Sequence, residues 1–256
     1  MLIQRFCNSV FAFLLREMGT SYGRHPGGFL WAIIEPILAI FLLTFVFSLA
    51  FRAPALGDNF ALFYATGYLP FTLYMDLTNK LGQAIRYSKN LLKYPNINFF
   101  DAIIARLILT TLVNLIVFFC VINSILTFYE INQHVLINQI LHSLFLATIL
   151  GLGVGTFNCY FSTRFPTWER IWSILNRPAF VISGVFFTLE SVPDPYRTYL
   201  SYNPVIHVVE VMRMGFYPTY KNTLFDPLYV YAVASILFCI GLSLLVRNHR
   251  SLIHSL

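Results

Sequence analysis

His207, Glu210 and Arg213 fall at i, i+3 and i+6 within the run Val205 to Gly215, which places a base, an acid and a cation on one side of an otherwise apolar helix. Such a stripe can line a water-filled exit or pass protons along its length. The plainer alternative is that Glu210 and Arg213 pair with each other to lower the cost of burial. Arg177 stands at the head of a second apolar run, and Glu35-Pro36 lies within the first two turns of another. A charge at such depth costs about 2.5 to 3.5 kcal/mol on insertion scales, so each should face protein, a cavity or lipid headgroups. For Arg177 the choices are an anionic substrate or headgroup phosphates reached by snorkelling. For Glu35 the plain reading is a pair with Arg106 or Arg177. Trp31, Trp168 and Trp172 are among the aromatics that could stack on sugar rings, although interfacial anchoring explains most of the 26 Phe and 15 Tyr.

Several reactions lack their residues. The chain has no G-x-x-x-x-G-K-[ST] loop to cradle nucleotide phosphates, no H-E-x-x-H and no G-x-S-x-G. Its six histidines are dispersed, and its four cysteines, Cys7, Cys120, Cys159 and Cys239, have no metal-ligand spacing and read as packing residues. No catalytic centre and no metal site are expected. An ATP-driven action would need a separate chain.

The elements that must position these residues are membrane helices. Hydrophobic residues make up 57% of the 256 and charged residues 11%, far below the roughly 25% of soluble domains; mean hydropathy is +0.68. Backbone groups in hydrocarbon need internal partners, and the runs lack the alternation of barrel strands, so the fold class is all-α. A helix needs roughly 20 apolar residues to cross. Six spans are predicted, at 29–51, 60–76, 102–128, 137–161, 171–189 and 228–246. The fifth is the least regular, because only Pro178 to Leu189 separates Arg177 from Glu190.

Net charge is +6, and its placement bears on topology rather than on nucleic acid. Twelve of the 17 Lys and Arg lie in alternate gaps: Arg5, Arg16 and Arg24; Lys80, Arg86, Lys89 and Lys93; Arg164, Arg170 and Arg177; Arg247 and Arg250. By the positive-inside rule both termini are expected in the cytoplasm. Residues 1–25 read as an amphipathic interfacial helix, with Ile3, Phe6, Val10, Phe13, Leu14 and Met18 on one face. No cleavage pattern follows that would make them a signal peptide. Gly151, Gly153 and Gly155 would let the fourth span approach its neighbours closely. The segment 191–226 is too apolar for a solvated loop and is expected to form two short re-entrant helices, the second from Asn203 as N-cap and Pro204 as first helical residue to about Gly215.

The run Arg24-His-Pro-Gly-Gly-Phe-Leu-Trp-Ala-Ile-Ile-Glu-Pro36 resembles the start of the first span in permeases of type-2 ATP-binding-cassette polysaccharide exporters. Lys93-Tyr-Pro-Asn-Ile-Asn-Phe-Phe-Asp-Ala-Ile-Ile-Ala-Arg106, Arg164-Phe-Pro166, Asn176-Arg-Pro178 and Asn203-Pro-Val-Ile-His-Val-Val-Glu210 are similar, in order, to blocks of capsular polysaccharide export permeases. The resemblance implies a homodimer of six-span subunits in a bacterial inner membrane. It implies two copies of a cytoplasmic ABC ATPase, to which ATP and Mg belong, this chain needing no cofactor. It further implies a lipid-linked polysaccharide as substrate, with a periplasmic co-polymerase and an outer-membrane channel continuing the route.

By the same resemblance the N-terminal helix and residues 83–94 dock the ATPase, through Arg5, Arg16, Arg86, Lys89, Leu91, Leu92, Lys93 and Tyr94. The segment 191–220 forms a periplasmic gate. Capsule polymers are commonly acidic, so Arg24, Arg106, Arg170 and Arg177 could draw the anionic head of the substrate to the inner mouth. Trp31, Glu35, Trp168 and Trp172, with His207, Glu210 and Arg213 further along, complete the expected path. Export of O-antigen, teichoic acid, a drug or a lipid is the alternative within the superfamily. A lipid-modifying membrane enzyme is the alternative outside it, and would require His25, His207 and Glu210 to meet.

Overall fold

The structure, a computed structural model, describes residues 2–21, 27–89, 91, 98–220 and 224–255. Ten α-helices and one short 3-10 turn make up the regular structure of these residues. They are α1 Leu2–Ser21, α2 Gly28–Ala50, α3 Phe60–Gly82, α4 Ala84–Ser88, α5 Phe99–Phe128, α6 Ile137–Arg164, α7 Trp168–Ile182, α8 Tyr196–Ser201, α9 Pro204–Phe216 and α10 Pro227–Ser255, with the 3-10 turn at Leu189–Ser191. Among the described residues four stretches are long and apolar enough to cross a membrane: Leu30–Ala50, Phe99–Phe128, Ile137–Arg164 and Pro227–Asn248.

Helix α3 is the hub. It begins on Asn59, whose side chain accepts from the Leu62 amide at 3.0 Å, and packs against α2, α5, α6 and α9. Its buried residues run from Ala61 to Gly82 and turn to every side, because neighbours enclose it all round. Asp76 and Lys80 in its last turns keep it from being as apolar as the four stretches above.

Close packing of α6 depends on its glycines. A Cβ on Gly151 would stand 2.7 Å from Leu77 Cβ, and one on Gly155 would stand 2.8 Å from Leu81 Cβ, both on α3. Gly153 faces the other way, against the Ala234 carbonyl of α10, while Gly241 of α10 lies against the Phe157 amide. The three glycines therefore admit two neighbours on two faces, as their small size suggested. Apolar association adds little between helices already in lipid, so the backbone proximity itself supplies the van der Waals contact.

Helix α1 lies on α5, with Val10 and Phe13 buried against Ala102 and Ala105. Phe11, Leu15 and Met18 face outward one helical turn apart, so the helix carries a second apolar stripe fit for a lipid interface. Apart from Glu35, helix α2 is apolar on nearly all sides and mostly exposed in the single chain, with Ile40 buried.

After Ile182 the chain departs from the expected fifth span at 171–189. The fifth helix was expected to continue to 189, but α7 ends at Ile182. Ser183 then leaves helical geometry and Gly184 takes a φ of +79°, which reverses the chain. A Cβ at Gly184 would also strike Ile206 Cγ1 at 2.8 Å. No residue of α7 is buried in the single chain. In contrast α9 is sunk against α3, α6 and α10, and starts as expected, with Asn203 Oδ1 accepting from the Val205 amide at 3.1 Å and Pro204 in its first turn. The Asn203 amide also donates to the Ile182 carbonyl at 3.1 Å, which ties the end of α7 to the start of α9.

Candidate transport path

The stripe of α9 turns inward. His207 is 2% exposed and Glu210 and Arg213 are 0% exposed, so in this chain they line no open channel. Their cover is provided by the reversal at Gly184 and by the chain leading to Tyr220. Arg213 donates to the carbonyls of Phe187 and Val185, stands 3.5 Å from Glu210 Oε1 and lies over the Phe63 ring at 4.3 Å. Glu210 accepts from the Leu189 amide at 2.9 Å and from the Tyr220 hydroxyl at 2.6 Å. Burial first, and then the Glu210 carboxylate, push the Tyr220 phenol above its ordinary range, so it stays a donor.

His207 takes no part in a relay with them. Its Nδ1 accepts from the Asp226 amide at 3.2 Å, which leaves Nε2 to donate to the Ser201 carbonyl at 2.7 Å. The three residues thus staple the 183–226 segment to the bundle. An unpaired charge there would be costly, and each has partners.

The remaining candidates gather at the opposite end of α3, in three clefts that do not merge within one chain. The first, of about 320 Å³, lies between α3, α6 and α7 and has Trp172 and Arg177 on its wall. Trp168 stands behind it, packed on Phe161 and donating from Nε1 to Asn158 Oδ1 at 3.0 Å. The second, of about 290 Å³, holds Trp31 and Glu35 together with Tyr68, Asp76 and Lys80. Asp76 accepts from the Asn114 amide at 3.1 Å. The third, of about 410 Å³, is bounded by Arg16, Glu17, Tyr87 and Arg106.

Arg106 is a brace rather than an open cation. It is buried, pairs with Glu17 at 3.0 Å, donates to the Lys80 carbonyl at 2.8 Å and lies 4.9 Å from the centre of the Tyr87 ring. Helices α1, α3, α4 and α5 meet at this one guanidinium, and Glu35 therefore lacks the Arg106 partner suggested for it. Arg170 is exposed on the first turn of α7.

Of the expected docking residues, Arg16, Arg86 and Leu91 are engaged inside the chain. Arg86 pairs with Glu169 at 2.6 Å and donates to the Ser162 carbonyl at 3.0 Å, while Arg16 donates to the Tyr87 carbonyl at 3.0 Å. Leu91 packs beside Val10 and Phe13. Lys89 is half-buried at the end of α4. Arg24, His25, Leu92, Lys93 and Tyr94 lie outside the described residues, as does the side chain of Arg5.

Asn158, Asp76, Asn114 and Tyr220 join these sites without having been singled out from sequence. A polar side chain in the middle of an apolar helix was the available signal for Asn114 and Asn158. Nothing in the spacing marked Tyr220, which reaches Glu210 only because the chain turns back after α9.

Comparison with known proteins accords with this architecture. The chain is 29% identical over 250 residues to the polysialic acid transport protein KpsM of Escherichia coli, covering 96% of each. It is 25% identical over 240 residues to the capsule polysaccharide export inner-membrane protein CtrC of Neisseria meningitidis serogroup A, covering 92% of this chain and 89% of that one. It is 27% identical over 209 residues to the capsule polysaccharide export inner-membrane protein BexB of Haemophilus influenzae, covering 80% and 78%. Residues 8–217 match the ABC-2 type transporter family, a stretch that runs from α1 through the buried cluster of α9, and the chain belongs to that family.

Proposed function

We propose that this chain is the permease subunit of an ATP-driven exporter that moves lipid-linked capsular polysaccharide across the bacterial inner membrane. The observation that carries the reading is likeness over nearly the whole chain to capsule polysaccharide export proteins, within the ABC-2 type transporter family. The subunit works as a homodimer bound to two cytoplasmic ATPases, which hold ATP and Mg. A periplasmic co-polymerase and an outer-membrane channel receive the polymer. The chain itself makes and breaks no bonds.

In this reading α2, α3, α5, α6, α7 with the turn that follows it, and α10 form six passages, and both termini are cytoplasmic. The charge distribution supports that orientation, since α4 and both ends of the chain lie in the basic gaps. The exposed flanks of α2 and α7 supply surface for the second copy. Segment 191–226 is the periplasmic gate, with α8 and α9 as its re-entrant pair.

Closure of the ATPases pushes on α1 and α4. The contacts of Arg106 with Glu17, Lys80 and Tyr87 pass that push to α3 and α5 as a rigid block. The clefts with Trp172 and Arg177 and with Trp31 and Glu35 flank the inner mouth.

The test is genetic and biochemical. In an encapsulated host, deletion of the gene should abolish surface polymer while lipid-linked polymer accumulates inside, and the intact gene should restore export. Purification from that host should bring down an ABC ATPase in equal amount. Normal surface polymer in the deletion strain would overturn the reading.

A further inference from the structure

We infer that Glu35 of one subunit pairs with Arg177 of a second copy of this chain, so that two symmetry-related ion pairs between α2 and α7 close the homodimer on its inner side. The inference deepens the permease reading and rests on the homodimer in it.

Both side chains are exposed, and among the described residues neither makes an ion pair within its own chain. Each sits in an exposed apolar stripe, Glu35 between Trp31 and Leu38 and Arg177 between Ile174 and Val181. A charge so placed in a membrane needs a partner or a polar cavity. The two surroundings differ in sign. The Glu35 cleft holds a second carboxylate, Asp76, and one cation, Lys80, which stands one turn of α3 from Asp76, so one negative charge is in excess. On the Arg177 cleft the carboxylate, Glu169, is already matched by Arg86 at 2.6 Å, so one positive charge is in excess.

Symmetry brings the two together. Phe47 of α2 and Phe186 beyond α7 both meet the Tyr64 ring of α3, with centroids 5.3 and 6.5 Å away. One turn further along, Tyr68 lines the Glu35 cleft and meets Phe180 of α7 at 6.1 Å. Helices α2 and α7 thus flank one face of α3. Two copies inserted the same way up are related by a two-fold axis along the membrane normal, and this rotation exchanges left and right flanks. Facing copies therefore set α2 of each against α7 of the other. The rotation leaves depth unchanged, and α3 gives the depth of both residues: the Glu35 cleft is walled by Thr72, Asp76 and Lys80, the Arg177 cleft by Met75, Thr78 and Asn79. These positions interleave, so the opposite charges meet at one level, and the two clefts merge across the interface.

The assembled transporter, expressed with its ATPase, tests the pair in native membranes. Glu35→Cys and Arg177→Cys chains carrying different tags are co-expressed and treated with a short bis-maleimide, because a direct disulfide is too short to replace two long side chains. The expected product is a cross-linked species bearing both tags. Each variant alone, and the unsubstituted chain with its native cysteines, should give none. No two-tag species overturns the pair, as does a cross-link confined to monomers when one chain carries both cysteines.

Charge reversal supplies a second reading. Glu35→Arg or Arg177→Glu alone should lower the ratio of two-copy to one-copy particles, counted by native mass spectrometry, roughly tenfold, and the two together should restore it to within about threefold. A double variant no better than the worse single one overturns the pair. Two-copy particles without the cross-link remove the pair and leave the homodimer, whereas one-copy particles alone in the unsubstituted complex remove both. Cross-linked dimers in a host whose surface polymer is normal without the gene keep the pair and remove the permease.

Discussion

Tyr220 donates its hydroxyl to Glu210 Oε2 at 2.6 Å, closing the chain after α9 back onto the helix it has just left. The same carboxylate takes the Leu189 amide through Oε1, so one acid holds both flanks of the outer segment. Arg213 beside it donates to the turn at residues 185–187, and the cluster acts as one unit.

Removing one member should therefore cost more than removing a matched pair. Arg213→Met leaves Glu210 buried without its cation, with an expected loss of about 3 to 5 kcal/mol. Arg213→Met combined with Glu210→Leu should recover part of it. Thermal unfolding of the four proteins in detergent gives the cycle, and additive losses would show that the two residues are not coupled.

Tyr220→Phe removes a hydrogen bond to a charged group and should destabilise by about 1.5 to 3 kcal/mol. The phenol is raised in the folded state, so its stabilising proton is fully held below the ordinary tyrosine value of about 10 and is lost only as pH climbs through the folded value. The difference between wild type and Tyr220→Phe should accordingly stay flat from pH 6 to about 9. A difference that vanishes within that window would contradict the assigned donor.

Arg106→Ala should uncouple the helices that converge on it. Unfolding should fall by about 3 kcal/mol or more, since Glu17 is left without its buried partner. In vesicles containing the assembled transporter, Arg106→Gln should retain ATP hydrolysis while polymer transport drops. Equal loss of both activities would point to failed assembly instead of lost transmission.

Gly153→Ala sets a methyl group against the Ala234 backbone, and Gly241→Ala sets one against that of Phe157. A backbone cannot swing aside, so each should cost about 1 to 3 kcal/mol and lower the yield of folded protein. Gly82→Ala, whose methyl would reach only Asn158 Cβ at 3.4 Å, should cost much less. The ranking is read from melting temperatures, and Gly82→Ala as the worst of the three would reject the packing described for α6.

Arg177→Ala should lower surface polymer several-fold while leaving the ATPase in the purified complex, because the exposed side chain holds no ion pair among the described residues that folding requires. Unchanged export would remove Arg177 from the inner mouth.

Much of the framework was legible from residue order. Asn203-Pro204 marked the start of α9 because an Asn side chain can cap what a proline opens, and the helix begins there. The glycines of α6 marked close approach through size alone. The fifth span was expected at 171–189 as the least regular of the six, and its helix ends earlier, at Ile182, because the backbone freedom of Gly184 and the bulk of Ile206 beneath it make the chain reverse. Trp172 and Arg177 were each singled out for separate reasons, and only the structure puts them on one cleft, while Asn158, which connects Trp168 to that cleft, was hidden among apolar neighbours of the fourth span.

Composition and periodicity by themselves determined that this chain is a bundle of apolar helices with its cations in alternate gaps, since transfer of charge and of unpaired backbone into hydrocarbon is prohibitive whatever the neighbours. They also put His207, Glu210 and Arg213 on one side of one helix. Only the tertiary structure decided that this side faces inward, because helical spacing tells which residues share a face and says nothing about what will cover it. The cover comes from Val185, Phe187, Leu189 and Tyr220, residues outside the helix whose carbonyls, amide and hydroxyl satisfy the stripe once the chain folds back.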